Sequence, residues 1–198
     1  GDHVLRVRLA DAKDAEPRTD QRLFLVRVAA TPGVTFLASP GDWDSRFLYR
    51  TLREVAQLPV KGYVRLDRDR WRTMADLRPA AVSEVRRAAR NADMLVLKGS
   101  VGEWESGSRA RGVWHWPTGE QGSSSPTVGD WYLSPAEESP LAGAFVGQPV
   151  DSFPPAFQLT LREPAPGEWV ALSAQIGRRG ARRTAVLGSR ERQVRQVT

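Results

Sequence analysis

Two short stretches of this chain hold side chains that could do chemistry together. Ser39-Pro-Gly-Asp-Trp-Asp-Ser45 offers Asp42, Trp43 and Asp44, with Arg46 just beyond, and Lys98-Gly-Ser-Val-Gly-Glu103 offers an amine, a hydroxyl and a carboxylate. Each follows a short apolar run that reads as a strand, and in open α/β sheets ligands bind beyond the carboxyl ends of strands. Asp42, Trp43, Asp44, Arg46, Lys98, Gly99, Ser100 and Glu103 are therefore the candidate ligand-binding set. His115, between Trp114 and Trp116, could serve with Asp42 or Asp44 as the acid/base group of a degenerate hydrolase. The plainer reading has Asp44 or Ser45 capping a helix, Arg46 paired with a carboxylate, Trp43 packed and His115 enclosed in an aromatic cluster.

Composition narrows the chemistry further. The 198 residues include no cysteine and two histidines, His3 and His115, which excludes disulfides, thiolate metal sites, a cysteine nucleophile and a multi-histidine metal site. Asp42 and Asp44, two apart with no further cluster, make a poor calcium or magnesium site. Gly99-Ser-Val-Gly102 lacks both the phosphate-loop and the dinucleotide fingerprints, and Gly-x-Ser-x-Gly is absent. No metal and no cofactor are expected.

The elements that must position these residues follow from periodicity. Val4–Leu9 and Arg22–Val28 read as an antiparallel strand pair, so residues 1–32 are an N-terminal β extension, the end of a preceding β-sandwich domain in appearance. From Val34 the order becomes strand (34–38), helix (46–57), strand (60–66), polar connector (67–79), helix (81–91) and strand (93–97). That order predicts an α/β fold over 33–198 with a mostly parallel sheet and crossover helices. Residues 101–140, with six glycines and four of the seven tryptophans, read as an ordered, loop-rich insertion whose tip is 119–126. The remainder is β-rich, with strands over 156–161, 168–175, 183–187 and 193–197.

The formal charge of +6 is local. Residues 178–198 hold seven arginines against Glu191, whereas the other 177 residues carry 22 basic and 22 acidic side chains. Without a recognition helix or interleaved aromatics this cluster reads as a solvated hairpin, and nucleic acid is not the expected partner. No run is long and apolar enough to insert in a membrane. The strand-like final residues and the non-methionine start read as a segment of a longer protein.

Trp43-Asp-Ser-Arg-Phe-Leu48, matching W-x-x-R-(F/Y)-L after the strand at Val34, and Asp93-Met-Leu-Val-Leu-Lys-Gly-Ser100, matching D-x-L-(V/I)-L-x-G-(G/S), carry a resemblance. Over residues 33–175 the chain resembles the class I glutamine amidotransferase-like domains of large, membrane-anchored bacterial proteins, often accompanied by von Willebrand A-type domains. The resemblance implies a flavodoxin-like three-layer sandwich, a place on the extracytoplasmic side of a bacterial membrane through the parent protein, and partners among the domains or subunits of a membrane-associated complex. Members that hydrolyse glutamine place a cysteine on a strand-to-helix turn, and no cysteine stands anywhere in this chain. The expected role is thus non-catalytic: a protein-interaction or ligand-binding module.

Overall fold

The computed structural model describes residues 2–8, 21–27, 33–117, 126–177, 180–191 and 194–197. The chain folds as two units, Gly1–Thr31 and Pro32–Thr198. In the first, β1 (Asp2–Arg8) and β2 (Gln21–Arg27) form an antiparallel pair with Leu5 opposite Phe24. Alternation puts Val4 and Leu25 on one face and Leu5, Val7 and Phe24 on the other, and all are exposed.

The second unit begins with β3 (Val34–Ser39), α1 (Trp43–Arg50) and a π-helical turn, Thr51–Val55. β4 (Val60–Asp67), β5 (Arg70–Thr73), β6 (Pro79–Ala80), α2 (Val82–Arg90) and β7 (Met94–Gly99) follow. Next come β8 (Gly112–Trp116), β9 (Thr127–Pro135) and the one-turn α3 (Ala142–Phe145). The chain continues through β10 (Ala156–Leu159), β11 (Trp169–Ile176), β12 (Arg182–Glu191) and β13 (Val194–Val197).

These strands join in one 11-stranded sheet, in the order β10-β9-β11-β12-β13-β8-β7-β3-β4-β5-β6. The parallel pairs are β4 with β3, β3 with β7, β7 with β8, and β8 with β13; the other neighbours are antiparallel. The flavodoxin-like three-layer sandwich with a mostly parallel sheet is therefore incorrect: the fold is strand-rich and its sheet mixed. Successive strands of a flavodoxin-like sheet are usually joined by crossover helices, and after α2 the chain supplies mainly strands, most of them paired antiparallel. The stretch 101–140, expected as a loop-rich insertion, contributes β8 and β9 to the sheet, and the connector 67–79 contributes β5 and β6. The expected tip at 119–126 lies, except for Pro126, outside the described residues.

The central strands are buried on both faces, which is why Val34-Thr-Phe-Leu-Ala and Met94-Leu-Val-Leu read as continuous apolar runs. Their alternation divides the core. Val34, Phe36, Ala38 and Val96 pack with Tyr49 of α1, while Leu37, Leu95 and Leu97 pack with Val85, Ala88 and Ala89 of α2. Thr35, buried on the α2 side, donates its hydroxyl proton to the Ala88 carbonyl at 3.0 Å, satisfying a polar group that would otherwise be costly there.

Tyr63 of β4 ties the sheet to the first turn of α2 by donating to Glu84 Oε1 at 3.2 Å. Burial, and then the Glu84 charge, push its phenol from 10.0 up to about 12, against a smaller opposing pull from Arg78. Because the folded value is raised, its stabilisation is present below pH 10.0 and lost as pH climbs through about 12. Ultraviolet titration of the native chain against Tyr63→Phe should place this phenolate near pH 12; ionisation near 10 in the folded protein would refute the contact.

Candidate functional site

The expected site residues separate into distinct clusters. Asp42 caps α1 from extended backbone, its Oδ1 accepting from the Ser45 amide at 2.8 Å and the Ser45 hydroxyl at 2.6 Å. The cap is thus Asp42 and not Asp44 or Ser45, and the helix starts three residues earlier than its apolar pattern. Asp42 Oδ2 accepts from the ammonium of Lys98, which is 2% exposed, while Asp44 Oδ2 stands 3.8 Å from the same nitrogen. The ammonium also sits 4.7 Å from the ring centroid of Trp116, itself stacked on Trp114. Burial pushes the Asp42 carboxyl up, but the hydrogen bonds from Lys98 and Ser45 outweigh it and hold the group below its usual 3.8. A carboxylate and an aromatic face thus engage Lys98, and the arrangement pins loop 39–45 to the end of β7.

Trp43 and Phe47 face outward from α1, 71% and 63% exposed, with the Arg46 guanidinium 5.7 Å from the Trp43 ring. Neither the packed Trp43 nor an Arg46–carboxylate pair forms among the described residues. His115 and Trp116 are consecutive on β8, so their side chains leave opposite faces of the sheet. His115 Nε2 lies 3.0 Å from Glu105 Oε2, on the face away from the Lys98 cluster. The acid/base pairing of His115 with Asp42 or Asp44 is not assembled.

Ser100 and Glu103 join a group centred on Arg65, at the end of β4. The Arg65 guanidinium donates to Glu103 Oε1 at 2.6 Å, to Ser39 Oγ at 3.3 Å, and to the carbonyl and hydroxyl oxygens of Ser100. Trp71 lies under it, 5.7 Å away. Gly99, at φ +73°, makes the left-handed step that turns β7 toward Ser100, a conformation that favours glycine.

This group forms one end of a cleft of about 440 Å³ between α2 and the segment 103–108. Arg65, Arg68, Arg86 and Arg90 are among its lining residues, with Asp69 and Glu103 as the acidic ones. Val82 and Ala89 of α2 and the indole of Trp104 supply apolar surface. Among the described residues, no carboxylate lies within ion-pair distance of Arg68, Arg86 or Arg90.

No family model, curated protein or solved structure matches the chain. Among the described residues there is no group of three or more metal-ligating side chains, and no helix is long and apolar enough to cross a membrane.

Of the expected set, Glu103 lines the cleft and Ser100 supports one of its arginines; Asp42, Asp44 and Lys98 form the pin, and Trp43 and Arg46 lie on the outer face of α1. Sequence reasoning missed Arg65, Arg68, Arg86, Arg90 and Trp104. One signal was available: Arg86 and Arg90 stand one helical turn apart with Val82 a turn earlier, a mixed apolar and cationic stripe rather than a purely solvated face.

Proposed function

We propose that this chain is a non-catalytic binding module that takes an anionic ligand in the cleft beside α2. One observation carries the reading: three of the four arginines that line the cleft have no carboxylate partner among the described residues. Arginine forks match carboxylate and phosphate oxygens in pairs, and a partly enclosed site strengthens such bonds. Among the described residues, no serine–histidine pair lines the cleft. The Ser108 hydroxyl donates to the Ala89 carbonyl at 3.1 Å, and His115, paired with Glu105, is not part of the lining.

The mixed sheet departs from the fold that the amidotransferase resemblance implies, so the reading rests on the cleft and not on that resemblance. A place within a larger membrane-anchored protein would give the module neighbouring domains to which ligand binding could be reported.

Calorimetric titration with sulfate, pyrophosphate and citrate at low ionic strength tests it. Binding should weaken as salt rises. Arg86→Ala/Arg90→Ala, altering two exposed helix positions, should weaken it about tenfold or more, since hydrogen bonds to charged groups contribute about 1.5–3 kcal/mol each. If none of the three anions binds, the proposal fails.

A further inference from the structure

We infer that the ligand of this cleft is a phosphate monoester attached to a flat, apolar or aromatic body. The inference rests on the anion-binding reading and sharpens it in two respects, charge and shape.

The charge follows from the lining. Four arginines and two acidic residues among the lining leave it two formal positive charges in excess. A phosphate monoester carries about −1.5 to −2 near neutral pH on a single compact group, which nearly cancels that excess; a monocarboxylate leaves about half of it. The donors are suited to such a group. Arg65 is held in one orientation by Glu103, Ser39, Ser100 and Trp71, whereas Arg86 and Arg90, one turn apart on α2, retain their donors. A cation fixed beside two unpartnered forks can engage several oxygens of one tetrahedral anion.

The shape follows from the rest of the wall. Val82 and Ala89 sit in the same helical stripe as the two arginines, and Trp104 faces the cleft from the 103–108 segment. The Trp104 ring is steadied edge-on against Trp71, with centroids 5.1 Å apart and planes at 75°. Gly107, at φ +81° with open space where a Cβ would stand, leaves that wall without a side chain. Apolar surface beside clustered cations suits a ligand with a ring at one end and a phosphate at the other. The volume falls in the range of small-molecule sites and not of extended macromolecular grooves.

Calorimetry on the full chain with phenyl phosphate, inorganic phosphate, benzoate, glycerol phosphate and adenosine monophosphate tests the inference. Phenyl phosphate should bind at least about tenfold more tightly than inorganic phosphate or glycerol phosphate, the advantage expected from burying one ring, and more tightly than benzoate, which has the ring but about half the charge. Adenosine monophosphate binding as well as phenyl phosphate would identify a nucleotide-like source, and phenyl phosphate binding better would identify a smaller aryl ester; either supports the inference. Arg86→Ala/Arg90→Ala should weaken every phosphate compound, and Trp104→Ala should remove only the ring's advantage. If Trp104→Ala fails to fold by circular dichroism, the ligand series on the unaltered chain decides. Equal affinities across the five compounds would overturn this inference while leaving the anion-binding reading intact. Absence of binding by all five would overturn this inference, and absence by sulfate, pyrophosphate and citrate as well would remove both. Tight, salt-sensitive binding of a single-stranded oligonucleotide without binding of phenyl phosphate would make the arginines a nucleic-acid surface and overturn it too.

Discussion

Asp42→Ala is expected to lower the stability of the second unit by about 2–4 kcal/mol, because one carboxylate both caps α1 and neutralises a buried ammonium. Removing one partner of a fully buried pair typically costs about 3–5 kcal/mol. Asp42 is 38% exposed and Asp44 stands 3.8 Å from the same nitrogen, so solvent and the second carboxylate recover part of the loss. The cap contributes about a further 0.5–2 kcal/mol. Asp42→Asn separates the two effects, since asparagine caps as well as aspartate but carries no charge. Lys98→Met keeps the volume and removes the buried charge, and should be the mildest of the three. For a chain of this length each kcal/mol shifts the melting midpoint by about 2–4 °C. The pH dependence has a definite sign. The folded Asp42 carboxyl lies below its usual 3.8, so its contribution is present above pH 3.8 and lost as pH falls through the folded value. Midpoints of the native chain and Asp42→Asn should differ at pH 7 and converge below about pH 3.8. Equal midpoints for the native chain and Asp42→Ala at neutral pH would show that the pin carries no stability.

β3, β4, β7, α1 and α2 were legible because each announces itself locally. β3 and β7 are buried on both faces and so are apolar throughout, and α1 and α2 switch to the helical period. Pairing was not legible, since β9 meets β11 about forty residues away and neither strand carries a mark of its neighbour. β5 shows how a pattern can be present and overlooked. Arg70-Trp-Arg-Thr73 alternates strictly, Trp71 and Thr73 inward, but two arginines in four residues read as a polar connector. The true start of α1 was hidden for the opposite reason: Trp43 is apolar yet exposed, so the core-facing stripe begins only later. At the site, Lys98 and Asp42 were named from the strand-end rule, which located them without specifying their partners. The cleft escaped because α2 arginines facing away from the sheet read as solvated, and only the return of the chain through residues 103–108 turns that flank into a cavity wall.

The arginine-rich carboxyl end yields the second large effect, for its backbone holds the middle of the sheet. β13 lies between β12 and β8, antiparallel to one and parallel to the other, with Gln196 opposite Ser189 and Val113. It is the joint between the antiparallel wing β10-β9-β11-β12 and the helix-flanked strands β8-β7-β3-β4. A proline in an interior strand deletes a ladder donor and fixes φ near −65°, so Gln196→Pro should cost about 3 kcal/mol or more, a large share of the roughly 5–15 kcal/mol that holds a domain together. Gln196→Val keeps the amide and favours the strand, and should melt like the native chain. The form of the transition is as informative as its midpoint. With the joint broken, the wing should lose structure before the helix-flanked strands, giving a lower urea m-value and non-coincident fluorescence and far-ultraviolet transitions. A single, coincident transition at the native midpoint in Gln196→Pro would show that β13 does not bridge the two halves. The same bridging alters the meaning of the terminal charge: removing residues 178–198 would take away the whole of β12 and β13 with the arginines. A loss of anion binding in that truncation would therefore report a lost sheet, and substitution of Arg182 and Arg183, both exposed, is the way to test the charges alone.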